Sequence, residues 1–249
     1  MTDTHTHATD SDAPPPLPGT ALGGGFTAHA ALVAVLFAVL NWMIAGYAPD
    51  AVLEIGASYQ IQFYHVPSAI LMTLAYVMVL VSGVMVLSTG SLVWDRRARA
   101  FAAVGMLANG IVLVTGAVWG KAAWNIWWRF DDPKLTSAAV TFMVYLAYAV
   151  LTRGIEDETK RPRICAIYGI VAALSLVFIY FAPKWFGNAS HPERVKQVDT
   201  AISTTLTFGI LAFLGIYSLL YRWKMDMETV RERADAALAR IRRLEDSRS

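Results

Sequence analysis

The sequence has almost no cysteine, since Cys165 is the only one in 249 residues. A single cysteine excludes a disulfide within the chain. It also excludes the Cys-x-x-Cys-His signature of covalent haem attachment, so the chain is not a c-type cytochrome. Cys165 stands at the start of an apolar segment, where an unpaired cysteine usually packs as a small hydrophobic residue.

Charged residues are also scarce. They make up 16% of the chain against 56% hydrophobic residues, and the net charge is +2. The apolar residues occur in runs long enough to cross ~30 Å of hydrocarbon as helices, which satisfy their own backbone hydrogen bonds in lipid. The composition therefore predicts an all-α, polytopic membrane protein and indicates no nucleic-acid partner.

Residues 1–27 contain neither Lys nor Arg. A secretory signal peptide needs a positive segment before its apolar core, so this stretch is not typical of one. It holds three consecutive prolines, Pro14 to Pro16, and three glycines, Gly23 to Gly25. This composition predicts a disordered N-terminal tail.

Six apolar segments follow, at 28–47, 65–87, 101–119, 136–151, 164–181 and 200–221. They predict a six-helix membrane domain over residues 28–222 and a helical C-terminal tail over residues 223–249. With the segments placed alternately, 15 of the 21 Lys and Arg residues fall on one side of the membrane. By the positive-inside rule that side is cytoplasmic, so both termini are predicted inside and the loop at 119–136 outside.

The tail carries an apolar stripe at the three-and-four spacing of a coiled coil, formed by Met227, Val230, Ala234, Ala237, Ile241 and Leu244. The stripe covers fewer than three heptads. Two interpretations stay open: a solvated helix with alternating charges, or a helix that docks on a cytoplasmic or membrane partner.

The outer loop, WGKAAWNIWWRFDDPKLT, contains four tryptophans: Trp119, Trp124, Trp127 and Trp128. Their offsets of five, three and one cannot all fall on one helix face, so some indoles must face outward. Large flat side chains with a polar N–H suit either the lipid headgroup region or a flat hydrophobic ligand.

Two histidines belong to the same outer side. Proline is tolerated in a first helical turn, so Pro67 is predicted to begin the second span and to leave His65 at its entrance. Ser190 and Glu193 have the spacing of a capping box, which predicts a short helix beginning beside His191. The positive end of a helix disfavours imidazolium and so preserves the lone pair that a metal ligand needs.

Two histidines without a carboxylate cluster make a poor zinc site, because such sites usually have three or four protein ligands. A porphyrin supplies four nitrogens itself, and its flat face matches a surface of indoles. Its propionates would meet Lys121, Arg129 or Lys134. These residues therefore favour a haem site over a zinc site.

Four features together resemble the haem exporter protein C family of cytochrome c maturation, CcmC. They are the His-Val-Pro-Ser motif at His65, the tryptophan-rich loop ending in Asp-Pro-Lys-Leu-Thr, the histidine of the third outer loop and the six spans. The resemblance covers about residues 28–222. It implies that His65 and His191 are the axial ligands of a haem b bound without a covalent bond. It also implies a haem-binding platform, formed by Trp119, Trp124, Trp127, Trp128, Phe130, Asp131 and Asp132, with Arg129 and Lys134 beside it.

The resemblance further implies a bacterial inner-membrane location and transfer of haem to a haem chaperone. The partners it implies are an ABC-type ATPase, a permease subunit and a small membrane subunit. The chain departs from the family's Trp-Trp-x-Trp-Asp pattern, because Phe130 replaces a tryptophan and one residue is added. Which of Asp131 and Asp132 matches the family aspartate therefore stays open.

Two alternatives remain. A cytochrome c synthase would itself attach haem to apocytochrome thiols, but such relatives carry more spans and histidines, so we expect a haem-transfer protein rather than a bond-making enzyme. A permease without a cofactor would use the tryptophans only as an interfacial belt. Against it, the spans hold few polar residues, and Asn41 and Asn109 are interpreted as contacts between helices.

Overall fold

The computed structural model describes residues 24–49, 56–157, 159–186 and 199–247. Within these ranges the chain is helical and contains no β-strand, which confirms the all-α prediction. A short 3-10 helix, Gly56–Ile61, precedes the second long helix. The α-helices are α1 (Gly24–Gly46), α2 (Gln62–Thr89), α3 (Leu92–Trp124), α4 (Pro133–Gly154), α5 (Arg161–Ala173), α6 (Ser175–Phe186) and α7 (Thr200–Asp246).

Six helical spans in the described ranges are long and apolar enough to cross a membrane, which confirms the predicted number. Helices α5 and α6 together form the fifth of these spans. The helices are longer than the apolar segments: α3 begins at Leu92 and ends at Trp124, whereas the segment covers 101–119. An apolar segment defined by hydropathy ends at the first charged residue. A helix can continue through the membrane–water interface, because long basic side chains reach out of the apolar layer.

The prediction that Pro67 begins the second span is wrong, because α2 begins at Gln62 and Pro67 lies inside it. Pro67 has no N–H to donate to the carbonyl of Phe63. Gly209 of α7 packs against this place, where a Cβ would lie 3.2 Å from the Phe63 oxygen and 3.4 Å from Pro67 Cγ. His65 is consequently part of the first turn of α2.

Aromatic rings join the central helices. Tyr76 of α2 stacks on Tyr145 of α4 with 3.5 Å between ring centroids. Gly105 of α3 lies under the Tyr76 ring, and a Cβ there would be only 2.6 Å from Tyr76 Cε1. The Asn109 amide donates to the Tyr76 hydroxyl and to the Ala138 carbonyl at 3.4 and 3.3 Å, as expected for a contact between helices. These contacts fix α2, α3 and α4, which carry His65 and the tryptophan loop.

The C-terminal part of α7 continues the last span as one helix to Asp246. Its charged face packs against α3, where Arg99 forms ion pairs with Asp95, Glu228 and Glu232. The predicted apolar stripe points away from the body, and four of its residues are more than half exposed: Met227, Val230, Ile241 and Leu244.

Candidate functional site

The tryptophan loop is shorter than predicted, because α3 extends to Trp124 and α4 begins at Pro133. Trp119 and Trp124 therefore lie on the last turns of α3. Asn125 closes this helix in the left-handed conformation, with φ of 58°, which asparagine tolerates better than most residues. The Lys121 ammonium donates to the Asn125 side chain at 2.7 Å and stabilises the turn.

Asp132 holds the other end of the loop. Its side chain accepts hydrogen bonds from the backbone N–H groups of Lys134 at 2.9 Å and Leu135 at 3.1 Å. It is only 1% exposed, and Pro133 follows it in the first turn of α4. This arrangement is a helix N-cap, which satisfies donors that have no partner inside the helix.

Asp131 has a different environment, because its side chain is exposed and paired with Arg129. Its carboxylate accepts from Arg129 Nη2 at 2.7 Å and from Nε at 3.2 Å. The hydrogen bonds from Arg129 hold the pKa of Asp131 below its ordinary value. The Arg129 guanidinium also lies 5.9 Å from the Trp124 ring centroid, within cation–π range.

The aromatic residues form two pairs. Trp119 and Trp124 meet edge to face, with 4.8 Å between ring centroids. Trp128 and Phe130 meet at 6.3 Å. Trp127 is 59% exposed and Phe130 is 85% exposed, which confirms that part of this aromatic set faces outward.

Two grooves meet at Trp128 and Phe130. The first has a volume of about 560 Å³ and is lined by loop residues that include Trp124 and Arg129. The second, of about 480 Å³, continues down the outer side of α4 past Met143. Both grooves are shallow and open to their surroundings.

His65 lies against α3, one turn before Trp119. Its Nδ1 is 2.8 Å from Thr115 Oγ1, and a Cβ on Gly116 would lie 3.5 Å from its Cε1. The fold therefore brings His65 and the last turns of α3 together. Thr115 and Gly116 carry no sequence signal, because each is a common residue in an apolar span.

His191 lies outside the described residues, as do Ser190 and Glu193 of its proposed capping box. His29 is at the opposite end of the bundle, where its ring contacts the Ser218 hydroxyl at 3.1 Å and joins α1 to α7. In the described part of the chain, no group of three or more His, Cys, Asp and Glu residues is arranged to hold a metal ion.

Comparisons with known proteins give one family. The model of the family described as heme exporter protein C matches residues 18–240. A heme exporter protein C from Bradyrhizobium diazoefficiens is 31% identical over 215 residues, covering 82% of this chain and 78% of the relative. The protein of the same name from Escherichia coli K12 is 29% identical over 211 residues, covering 81% of this chain and 83% of the relative.

Proposed function

The chain belongs to the haem exporter protein C family. From this premise we propose that it binds haem b, without a covalent bond, on the outer face of the membrane. We further propose that it passes this haem to a haem chaperone for c-type cytochrome biogenesis. Membership and the six apolar helices of the described ranges make it a multi-pass protein of the bacterial inner membrane. It handles haem there within a larger membrane complex.

The donor set of the site fits haem better than a bare metal ion. His65 offers one imidazole, and the family resemblance adds His191 as the second. Haem iron carries four porphyrin nitrogens and needs only two axial ligands from the protein. The single observation that carries the proposal is the position of the His65 ring, which contacts Thr115 on α3 one turn before Trp119.

The groove along the tryptophan loop is proposed to hold the porphyrin ring and its propionates. Trp124, Trp128 and Phe130 give the groove apolar walls, and Arg129 lines it as a cation for one propionate, with Lys134 at the start of α4 as the proposed second cation. Lys121 suits this role less well, because its ammonium closes the end of α3 through Asn125. Asp131 and Asp132 support the loop through Arg129 and through the N-cap of α4.

Transfer needs no bond made by this chain. A difference in haem affinity between two states of the complex is enough to move haem to an acceptor. The exposed faces of Trp127 and Phe130 leave the groove open to a haem chaperone. The ABC-type ATPase, the permease subunit and the small membrane subunit would drive the change between states.

The test is the optical spectrum of protein purified from haem-replete cells, oxidised and reduced, together with delivery of haem to the chaperone. His65→Ala is expected to lower haem occupancy by more than tenfold, because losing a ligand costs more than the roughly 10-fold loss that follows removal of a residue supporting one. Trp127→Ala should also weaken retention. Trp223→Ala is the matched control, because Trp223 is 49% exposed on α7 at the opposite end of the bundle.

An unchanged spectrum and unchanged delivery in His65→Ala would refute the ligand assignment. Haem-free wild-type protein from the same cells would favour the permease alternative. Covalent haem on an apocytochrome, made by the purified protein alone, would favour the synthase.

A further inference from the structure

Thr115 has one hydroxyl proton, and the geometry of α3 decides where it points. Thr115 Oγ1 lies 2.6 Å from the Ile111 carbonyl oxygen one turn earlier and 2.8 Å from His65 Nδ1. Two oxygens at 2.6 Å need a hydrogen between them, because their lone pairs would otherwise be in contact. The hydroxyl therefore donates to Ile111, as threonines in helices commonly do.

The lone pairs of the same oxygen remain for the imidazole. Because the Thr115 hydroxyl donates its hydrogen bond to the Ile111 carbonyl, its oxygen can only accept a hydrogen bond from His65. Nδ1 of His65 must therefore be the donor. A neutral imidazole that carries its proton on Nδ1 has its coordinating lone pair on Nε2. The chain of hydrogen bonds therefore selects one tautomer and one ring orientation.

We propose that Thr115 is a positioning residue for the haem iron: its hydroxyl fixes the tautomer and rotation of His65, so that Nε2 is the nitrogen that coordinates. This inference rests on the proposed function. It adds that Nε2 is the nitrogen of His65 that binds iron, and that Thr115, which is not itself a ligand, determines this choice. Histidines that bind metals generally donate their other N–H to such a partner.

The kind of partner also suits a transfer protein. A carboxylate in place of Thr115 would draw the Nδ1 proton strongly and make the imidazole a more basic ligand. The Thr115 hydroxyl is neutral, and its own proton is committed to the Ile111 carbonyl. It would orient His65 while adding less basicity than a carboxylate, which would favour release of the haem to an acceptor.

The experiment compares haem occupancy, affinity and the low-spin spectrum of the full-length protein in four variants. Thr115→Val keeps the shape and removes the hydroxyl, and it is expected to weaken haem binding by about 10-fold or more with a rise in the high-spin fraction. Thr115→Ser keeps the hydroxyl and should restore wild-type affinity and spectrum. Thr207→Val is the matched control, because the Thr207 hydroxyl bonds Ser203 in α7 in the same way and lies exposed on that helix. His65→Ala is the reference for a lost ligand.

The melting temperature of each haem-free variant shows whether folding is intact. The inference is supported if Thr115→Val has the melting temperature of the wild type but a weaker haem affinity, and if Thr115→Ser has the wild-type haem affinity. If His65→Ala loses haem while Thr115→Val keeps the wild-type affinity and spectrum, Thr115 has no positioning role and the proposed function stands. Equal losses in Thr115→Val and Thr115→Ser would also overturn the inference. Unchanged haem in His65→Ala would instead overturn the ligand assignment itself.

Discussion

Asp131 and Asp132 are chemically identical neighbours with different roles. The Asp132 side chain is buried and caps α4, whereas Asp131 is exposed and pairs with Arg129. A cap satisfies backbone donors that no other group reaches. An exposed ion pair is screened by water and contributes little. The loop conformation therefore depends on Asp132 more than on Asp131.

We expect Asp132→Ala to destabilise the purified protein by about 0.5–2 kcal/mol, the usual cost of a lost N-cap. Asp132→Asn should retain most of the stability, because asparagine also caps helices. Asp131→Ala is the control and should leave the melting temperature in detergent nearly unchanged. Equal shifts for the two alanine variants would show that the cap does not hold the loop.

At the scale of elements, α3 connects the two ends of the molecule. Its last turns carry Trp119 and Trp124, and its first turns carry Arg99, which binds the extension of α7. This contact is almost dry, because the Arg99 side chain is 10% exposed and that of Glu228 is 8% exposed. The extension is thus held to the body by charge, and its apolar stripe faces away from the body.

Arg99→Ala is predicted to cost about 3–5 kcal/mol, because it removes the ion-pair partner of the buried Asp95 and leaves Glu228 with Lys224 alone. Trypsin should then cut the extension after Arg231 or Arg233 much faster than in the wild type. Arg96→Ala is the matched control: its pair with Glu232 is more exposed, so the expected cost is at most about 1 kcal/mol. Similar cleavage rates in both variants would contradict this account of how α7 is held.

At the scale of the whole molecule, the even number of candidate spans in the described ranges predicts that the start of α1 and the end of α7 lie on one side of the membrane. The excess of Lys and Arg on that side predicts that it is cytoplasmic. The tryptophan loop would then face outward, where the proposed acceptor meets it.

Labelling of single cysteines tests this orientation in intact cells. The native Cys165 is 1% exposed and should react slowly with a membrane-impermeant maleimide, so it serves as the background. Ile126→Cys, at a side chain that is 48% exposed, is expected to react without permeabilisation, and Leu238→Cys only after the membrane is permeabilised. The reverse order of labelling would invert the topology and remove the loop from the outer face.

Local sequence patterns predicted some features of the spans and of the tryptophan loop correctly, but not all of them. Hydropathy located every span, and the offsets of the four tryptophans predicted that some face outward. The tolerance of proline in a first helical turn placed the start of α2 at Pro67, five residues late, because the packing of Gly209 against that turn is not visible in a local pattern.

The sequence by itself determined the number of spans, the charge bias between the two sides and the aromatic character of one loop. These properties follow from runs of neighbouring residues and from the transfer of side chains between water and lipid. Only the tertiary structure decided that Thr115 meets His65 across 50 residues of chain, that Asp132 rather than Asp131 caps α4, and that α7 binds α3 through its charged face. The first and the last of these depend on how helices pack against one another, and a helix pattern sets which residues share a face but not which partner that face meets. The Asp132 cap is a local contact, and it is assigned once the first residue of α4 is known.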